Sequence, residues 1–193
     1  VIDSAIVASS PAKPQKTRII SIALVVGLFI GVLMALLLDR LDNTFKTSQD
    51  VEARLGLPVL GVGQLIKDAA KVKPQRIFID DNQSGFAESI RTIRTAVMLS
   101  ALDAPKKILM VTSSIPAEGK TTIAINLAVA LSHVKRVLLI DADMRRPSLG
   151  KSLGFPLDAP GLSHFAAGSA PISKCIYPFE GTNLHVMPSG VIP

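Results

Sequence analysis

The chain has 193 residues, with 21 Lys+Arg against 15 Asp+Glu, a net charge of +6, and 48% hydrophobic residues with few aromatics. That length holds one domain, or part of a domain with a tether. The plentiful Leu, Ile, Val and Ala and the modest charge exclude a disordered chain, and Cys175, the lone cysteine, excludes a disulfide scaffold. The chain opens at Val1 and stops at Pro193, just after the apolar run Leu184 to Met187 and the turn-like Pro188-Ser189-Gly190. It therefore reads as an internal piece of a longer protein.

The first element in chain order is a membrane span. Residues 19–38, IISIALVVGLFIGVLMALLL, carry no charge and as a helix would be about 30 Å long, the thickness of a bilayer core. The run is too long for the apolar region of a signal peptide and ends in Leu38-Asp39-Arg40 rather than at a small-residue cleavage site. Gly27 and Gly31 form a GxxxG spacing, which lets helices approach closely in lipid. Orientation does not follow from charge, because Lys13, Lys16 and Arg18 precede the span and Arg40, Lys46 and Arg54 follow it. It follows instead from the nucleotide motifs downstream, which require the cytoplasmic side. The stretch with Pro11 and Pro14 then lies outside as an extended approach to the membrane.

After the span, Thr47-Ser-Gln-Asp50 resembles a capping box that opens a short helix, closed by Gly56 and Pro58. A polar stretch follows in which Lys67, Lys71, Lys73 and Arg76 are opposed by Asp68, Asp80 and Asp81, the balance of a solvated linker. The basic residues form no single stripe with interleaved aromatics, so a nucleic-acid partner is not expected. From Ser84 to Leu102, Phe86, Ile90, Ile93 and Val97 recur at helical spacing, and Glu88, Arg91 and Arg94 share much of the polar face. By position alone, those charges make ordinary local ion pairs.

The chemistry begins at Lys107. Residues 107–112 form an apolar run typical of a buried parallel strand, which feeds into Ser113-Ser-Ile-Pro-Ala-Glu-Gly-Lys-Thr-Thr122 and then an apolar helical pattern over 123–131. Strand, glycine-containing turn and helix are the setting of a phosphate-binding loop. Backbone N–H groups of such a loop and of the helix start converge on phosphate oxygens. Gly119 allows close backbone approach, Lys120 reaches the β and γ phosphates, and the Thr121 hydroxyl serves Mg²⁺. Ser114, Pro116 and Thr122 complete the cofactor-binding set. Ser114 stands where the usual GxxxxGK[ST] has its first glycine.

A second strand, 136–140, ends in Asp141-Ala-Asp143-Met-Arg145-Arg-Pro147. In parallel α/β sheets the ligand-contacting groups cluster beyond the carboxyl ends of strands. Were strand geometry to persist to Asp143, both carboxylates would point the same way. Such a pair beside a phosphate loop can hold hydrated Mg²⁺, or accept a proton from an attacking hydroxyl.

VTSSIPAEGKTTIAINLA resembles the first nucleotide motif of the bacterial tyrosine kinases, and VLLIDADMRRP resembles their distinctive second one, an apolar strand followed by Asp-x-Asp-x-Arg. The absent first glycine is expected in that family. Glu88-Ser-Ile-Arg91-Thr-Ile-Arg94 is similar to the family's Glu-x-x-Arg-x-x-Arg helix, which in relatives lies at a subunit interface of a ring. The proline-containing stretch, the span and Arg54-Leu-Gly-Leu-Pro-Val-Leu-Gly61 look like the end of a polysaccharide chain-length determinant fused to such a kinase.

The resemblance implies a P-loop NTPase-type α/β fold with a parallel sheet flanked by helices, preceded by one transmembrane helix. It divides the chain into an extracytoplasmic segment 1–18, a span 19–38, a juxtamembrane cytoplasmic linker 39–83 and the N-terminal part of a tyrosine kinase domain, 84–193. The implied activity is Mg-ATP-dependent autophosphorylation on tyrosine at the bacterial inner membrane, governing the chain length and export of a capsular or exopolysaccharide. Lys120, Asp141 and Asp143 are the implied catalytic residues, with Asp141 as base for the tyrosine hydroxyl. Thr121, Asp141 and Asp143 hold the metal, and Arg145 organises charge around the phosphates. Implied partners are other copies of the chain in a ring, a cognate phosphatase and the polymerase and export proteins. The family's third motif, an apolar strand followed by Asp-x-Pro, and its tyrosine cluster are expected beyond Pro193, since Tyr177 is the sole tyrosine. Two other readings compete: a partition-type P-loop ATPase, disfavoured by the span and by the lack of a second early loop lysine, and a membrane scaffold that binds nucleotide without catalysis.

Overall fold

The computed structural model describes residues 14–42, 44–66, 73–102 and 107–191. The segment with Pro11 and Lys13 and the linker charges Lys67, Asp68 and Lys71 lie outside the described residues. The chain divides into two compact units, residues 1–55 and 56–193.

In the first unit, helix α1 spans Lys16–Leu41, and every one of its residues is exposed. It is the one helix among the described residues long and apolar enough to cross a membrane, and it extends the uncharged run at both ends. Its C-terminus is closed by Asp42, whose N–H bonds the Leu38 carbonyl. The Asp42 carboxylate accepts from the Thr44 N–H and hydroxyl and pairs with Lys46, and these contacts lower its pKa to about 2. Helix α2, Ser48–Leu55, starts with the expected capping box. The Asp50 N–H donates to Thr47 Oγ1 at 3.1 Å, and the Thr47 N–H donates to the Asp50 carboxylate at 3.0 Å. Gly56 follows at φ +65°, the left-handed conformation that ends a helix.

The second unit is built around helix α5, Lys120–Ser132. No polar stripe runs along it, and Ile125 to Ala130 are all buried. A helix apolar around its circumference must be enclosed. On one side stands α4, Gly85–Leu99, capped by Ser84 Oγ, which accepts from the Ala87 N–H at 3.2 Å. Phe86 and Ile90 of the expected face are buried, together with Ala87, while Ile93 and Val97 are half-buried. A 3-10 turn at Pro74–Arg76 and the short helix α3, Ile77–Asp80, cover another side through Ile77 and Phe78.

The sheet closes a third side. Strands β1, Val137–Ile140, β2, Tyr177–Pro178, and β3, Leu184–Met187, lie in the order β1-β3-β2. β3 runs parallel to β1, with Val137 opposite Leu184, and antiparallel to β2, with Tyr177 opposite Val186. The sheet is thus mixed, with an antiparallel edge on a parallel pair. Leu184, Val186 and Met187 are buried, which explains why an apolar tetrapeptide near the end of the sequence forms the central strand. Three further helices, α6 (Leu149–Leu153), α7 (Leu162–Ala166) and α8 (Ile172–Cys175), link β1 to β2.

The strand expected at 107–112 does not form. Ile108 is 90% exposed and Met110 83% exposed, and no ladder bond joins this segment to another strand among the described residues. An apolar run specifies a preference for burial, not which strand edge will receive it. β3 is paired on both edges, and the outer edges of β1 and β2 receive no further strand among the described residues.

One polar side chain ties these layers together. Asn126 is fully buried on α5; its Oδ1 accepts from the Phe78 N–H at 2.9 Å, and its Nδ2 donates to the Pro74 and Thr122 carbonyls, each at 2.8 Å. A buried amide whose bonds are all made costs little, whereas removing it leaves its partners unsatisfied. Asn126→Ala is expected to destabilise the second unit by about 1–3 kcal/mol. Amide hydrogen exchange should show the loss first at Phe78; unchanged protection there would contradict the role. Gly161 makes a second close contact, since a Cβ there would sit 2.1 Å from the Pro188 carbonyl oxygen. Gly161→Ala should therefore break the 2.8 Å bonds from the Leu162 and Ser163 N–H groups to Pro188 and Ser189, read as faster exchange at both amides.

Candidate functional site

The N-terminus of α5 forms the floor of a cavity of about 520 Å³. The loop before it, 113–119, forms one wall, and the segment after β1 contributes Asp143, Arg146 and Ser148 on the other. Unpaired N–H groups at a helix start carry partial positive charge, so this floor favours an anion. Gly119 is the N-cap residue of α5 at φ +87°, where any side chain would be strained. Ala117 also has positive φ, at 70°, rare for a residue with a Cβ and a form of strain that clusters at ligand-binding loops.

Glu118 holds the first half of the loop. Its Oε2 accepts from the Ser114 N–H at 2.9 Å and from the Ile115 N–H at 3.2 Å. Ser114 in place of the usual first glycine is thereby fastened by its backbone, and its side chain lies along the cavity wall with Pro116. Sequence reasoning missed Glu118 as a loop organiser; the signal was an acidic residue inside a loop that binds anions.

The two aspartates after β1 diverge. The strand ends at Ile140, so the alternation that would have aligned Asp141 with Asp143 does not continue. Asp141 is 8% exposed, and its carboxylate is taken up by backbone: Oδ1 accepts from the Asp143 N–H at 3.2 Å, and Oδ2 from the N–H groups of Ser148 at 3.3 Å and Leu149 at 3.1 Å. Asp141 thus fixes the path of residues 141–149 and does not line the cavity. Asp143 does. Its Oδ2 meets Lys120 Nζ at 2.5 Å, and its Oδ1 accepts from the Arg146 N–H at 3.0 Å. The Lys120 ammonium, with the Arg146 N–H, holds the Asp143 carboxyl below the ordinary carboxylate range, so the group is anionic at neutral pH.

Of the expected binding residues, Ser114, Pro116, Gly119, Lys120, Thr121, Thr122 and Asp143 come together around this cavity. Arg145 is exposed and outside it, while its neighbour Arg146 lines it. Ser148, which sequence reasoning also missed, places its Oγ 2.6 Å from Thr121 Oγ1. Glu88, Arg91 and Arg94 lie apart on α4. Arg91 pairs with Glu88 at 2.6 Å, donates to the Asn82 carbonyl and lies over the Phe78 ring, and Arg94 donates to the Ala130 carbonyl at 3.4 Å.

A divalent cation fits this donor set. No cluster of three or more His, Cys, Asp or Glu exists among the described residues, so there is no all-protein cage. Thr121 and Asp143 instead offer hard oxygens on the lining of the cavity at the α5 N-terminus. Mg²⁺ is commonly held in this way, by one or two protein oxygens with water and phosphate completing the octahedron.

Comparisons with known proteins place a nucleotide-binding domain in this part of the chain. Residues 109–157 match the family described as "CobQ/CobB/MinD/ParA nucleotide binding domain", and residues 1–40 match the one described as "G-rich domain on putative tyrosine kinase". The chain is 31% identical over 207 residues to the tyrosine-protein kinase wzc of Salmonella typhimurium strain LT2, covering 100% of this chain and 28% of that protein. It is 30% identical over 217 residues to the succinoglycan biosynthesis transport protein ExoP of Rhizobium meliloti strain 1021, covering 98% of this chain and 28% of that one. The kinase domain of Escherichia coli tyrosine kinase ETK matches with a TM-score of 0.68 and 26% identity, over 76% of this chain and 60% of that chain. The chain spans a little over a quarter, 28%, of the length of such curated relatives. With a P-loop nucleotide-binding fold, an apolar N-terminal helix and relatives of these kinds, the chain is a homologue of the bacterial tyrosine-protein kinases.

Proposed function

We propose that this chain is the membrane-proximal and nucleotide-binding part of a protein-tyrosine autokinase that uses Mg-ATP and governs the chain length and export of an exopolysaccharide. The observation that carries the reading is the cavity at the start of α5, where Lys120, Thr121 and Asp143 converge under a loop strained at Ala117. Phosphoryl transfer needs positioning and charge neutralisation more than covalent chemistry, and these residues supply both.

In this reading the α5 N–H groups and the Lys120 ammonium take the β and γ phosphate oxygens. Lys120 turns from Asp143 to do so, and the released Asp143 carboxylate and the Thr121 hydroxyl serve the cation. Bound Mg²⁺ would neutralise charge on the phosphates. Asp141 keeps the 141–149 segment in place, and general-base work at the tyrosine hydroxyl, assigned to it by the resemblance, would require it to exchange one of its backbone bonds. The helix α1 anchors the chain, and the juxtamembrane segment 39–83, whose 74–80 part packs on α5, lies with 84–193 on the cytoplasmic side. Glu88, Arg91 and Arg94 serve contacts between copies in a ring. A cognate phosphatase and the polymerisation and export proteins are the remaining partners. The name of the relative ExoP, a succinoglycan biosynthesis transport protein, supports the polysaccharide setting.

Binding of a fluorescent ATP analogue to the full chain in detergent tests the site directly. Lys120→Met removes a charge-assisted contact and should weaken binding about 10- to 100-fold. Asp143→Asn frees Lys120 and should tighten binding without Mg²⁺ while abolishing the gain that Mg²⁺ brings; unchanged affinity in both variants would exclude this cavity as the nucleotide site. Orientation is read with a membrane-impermeant maleimide on intact spheroplasts, where Ser9→Cys should label and Ser48→Cys should not. Native Cys175 is buried and leaves little background. The reverse pattern would overturn the topology.

A further inference from the structure

Ser148 stands at the N-cap position of α6, where a serine ordinarily turns its oxygen onto its own helix. Here it makes no such cap bond. The Asp141 carboxylate has taken that task, accepting from the N–H groups of both Ser148 and Leu149. The Ser148 hydroxyl is thereby released from its helix and directed across the cavity, where it meets Thr121 Oγ1 at 2.6 Å, at the short end for a hydroxyl pair. The two residues are 27 positions apart, and each sits on an element held independently, Thr121 by the first turn of α5 and Ser148 by Asp141.

Either hydroxyl can donate in the free protein. A cation beside Thr121 removes that freedom, because a hydroxyl oxygen that turns a lone pair to a cation must send its proton elsewhere. The acceptor within reach is Ser148 Oγ. We propose that Ser148 is a positioning residue: its Oγ accepts a hydrogen bond from the Thr121 hydroxyl and so aims the Thr121 oxygen at the divalent cation that accompanies a bound nucleotide polyphosphate. Asp141 acts one step further out, by holding Ser148. The inference rests on the reading of the cavity as a Mg-nucleotide site and adds the group that orients its hydroxyl ligand.

Partners that orient a metal ligand typically contribute about 10- to 100-fold to metal affinity. The test is the Mg²⁺ concentration giving half-maximal enhancement of fluorescent ADP binding to the full chain, with Mg-free binding measured alongside. Ser148→Ala keeps the backbone N–H that Asp141 needs and should raise that concentration about tenfold, leaving Mg-free binding unchanged. Ser148→Thr retains the hydroxyl and should restore the wild-type requirement, which a merely structural role would not produce. Loss of affinity in Ser148→Ala to the same degree with and without Mg²⁺, or no change in either, would overturn the inference while leaving the nucleotide site intact. Failure of the wild-type chain to bind nucleotide at all would overturn the site reading itself.

Discussion

A helix that is apolar around its whole circumference has no face that water tolerates, and α5 imposes that condition on everything packed about it. Between Ile125 and Ala130 no residue is exposed, so α4, the 74–80 segment and β3 are each required as cover. Asn126 is the polar exception, and its bonds to Phe78, Pro74 and Thr122 make one particular cover fit better than any apolar alternative. Enclosure of the helix body leaves its N-terminus to floor the cavity lined by residues 113–117 and 119–122. The anion site is therefore a by-product of the core: the more completely α5 is buried, the less its first-turn N–H groups can move.

The second consequence runs through the turn after β1. Asp141, at the carboxyl end of a strand that pairs with β3, has its N–H on the Met187 carbonyl and its carboxylate on the backbone of 143, 148 and 149. A buried carboxylate bonded by several backbone N–H donors is rigid in place. That rigidity delivers Asp143 to Lys120 and Ser148 to Thr121. Two acidic residues of similar appearance in the sequence thus take different parts, one bonded to backbone and one facing the cavity. The difference arises because the strand stops at Ile140.

The legible parts of the fold were those whose partners lie close in sequence. The reciprocal Thr47–Asp50 cap and the helical spacing of α4 depend on neighbours three or four residues away; the cap forms as read, and on α4 Phe86 and Ile90 are buried while Ile93 and Val97 are half-buried. The phosphate loop was legible for the same reason, since glycine, lysine and threonine are consecutive. What escaped was set by distant contacts. Residues 107–112 have the composition of a buried strand, yet composition does not say which strand will pair with them, and none does among the described residues. The direction of Asp141 and the use of Ser148 depend on a helix start whose capping residue lies outside the local pattern. Ser148 heads α6 without capping it, because Asp141 accepts from the N–H groups of Ser148 and Leu149.

The charges on α4 show why local order and assembly are compatible. Arg91 has three partners within its own chain, the Glu88 carboxylate, the Asn82 carbonyl and the face of Phe78, while Glu88 is largely exposed. An exposed pair one turn apart on a helix stabilises by only about 0.2–0.5 kcal/mol. Exchanging Glu88 for a carboxylate on a neighbouring copy would therefore cost little, whereas the Phe78 contact keeps the Arg91 stem extended in the meantime. Arg94, bonded to the Ala130 carbonyl near the end of α5, sits closer to the core and has less freedom to exchange. Because α5 also carries the phosphate loop at its other end, a contact that pulled on Arg94 would act on the same rigid helix that sets the nucleotide site.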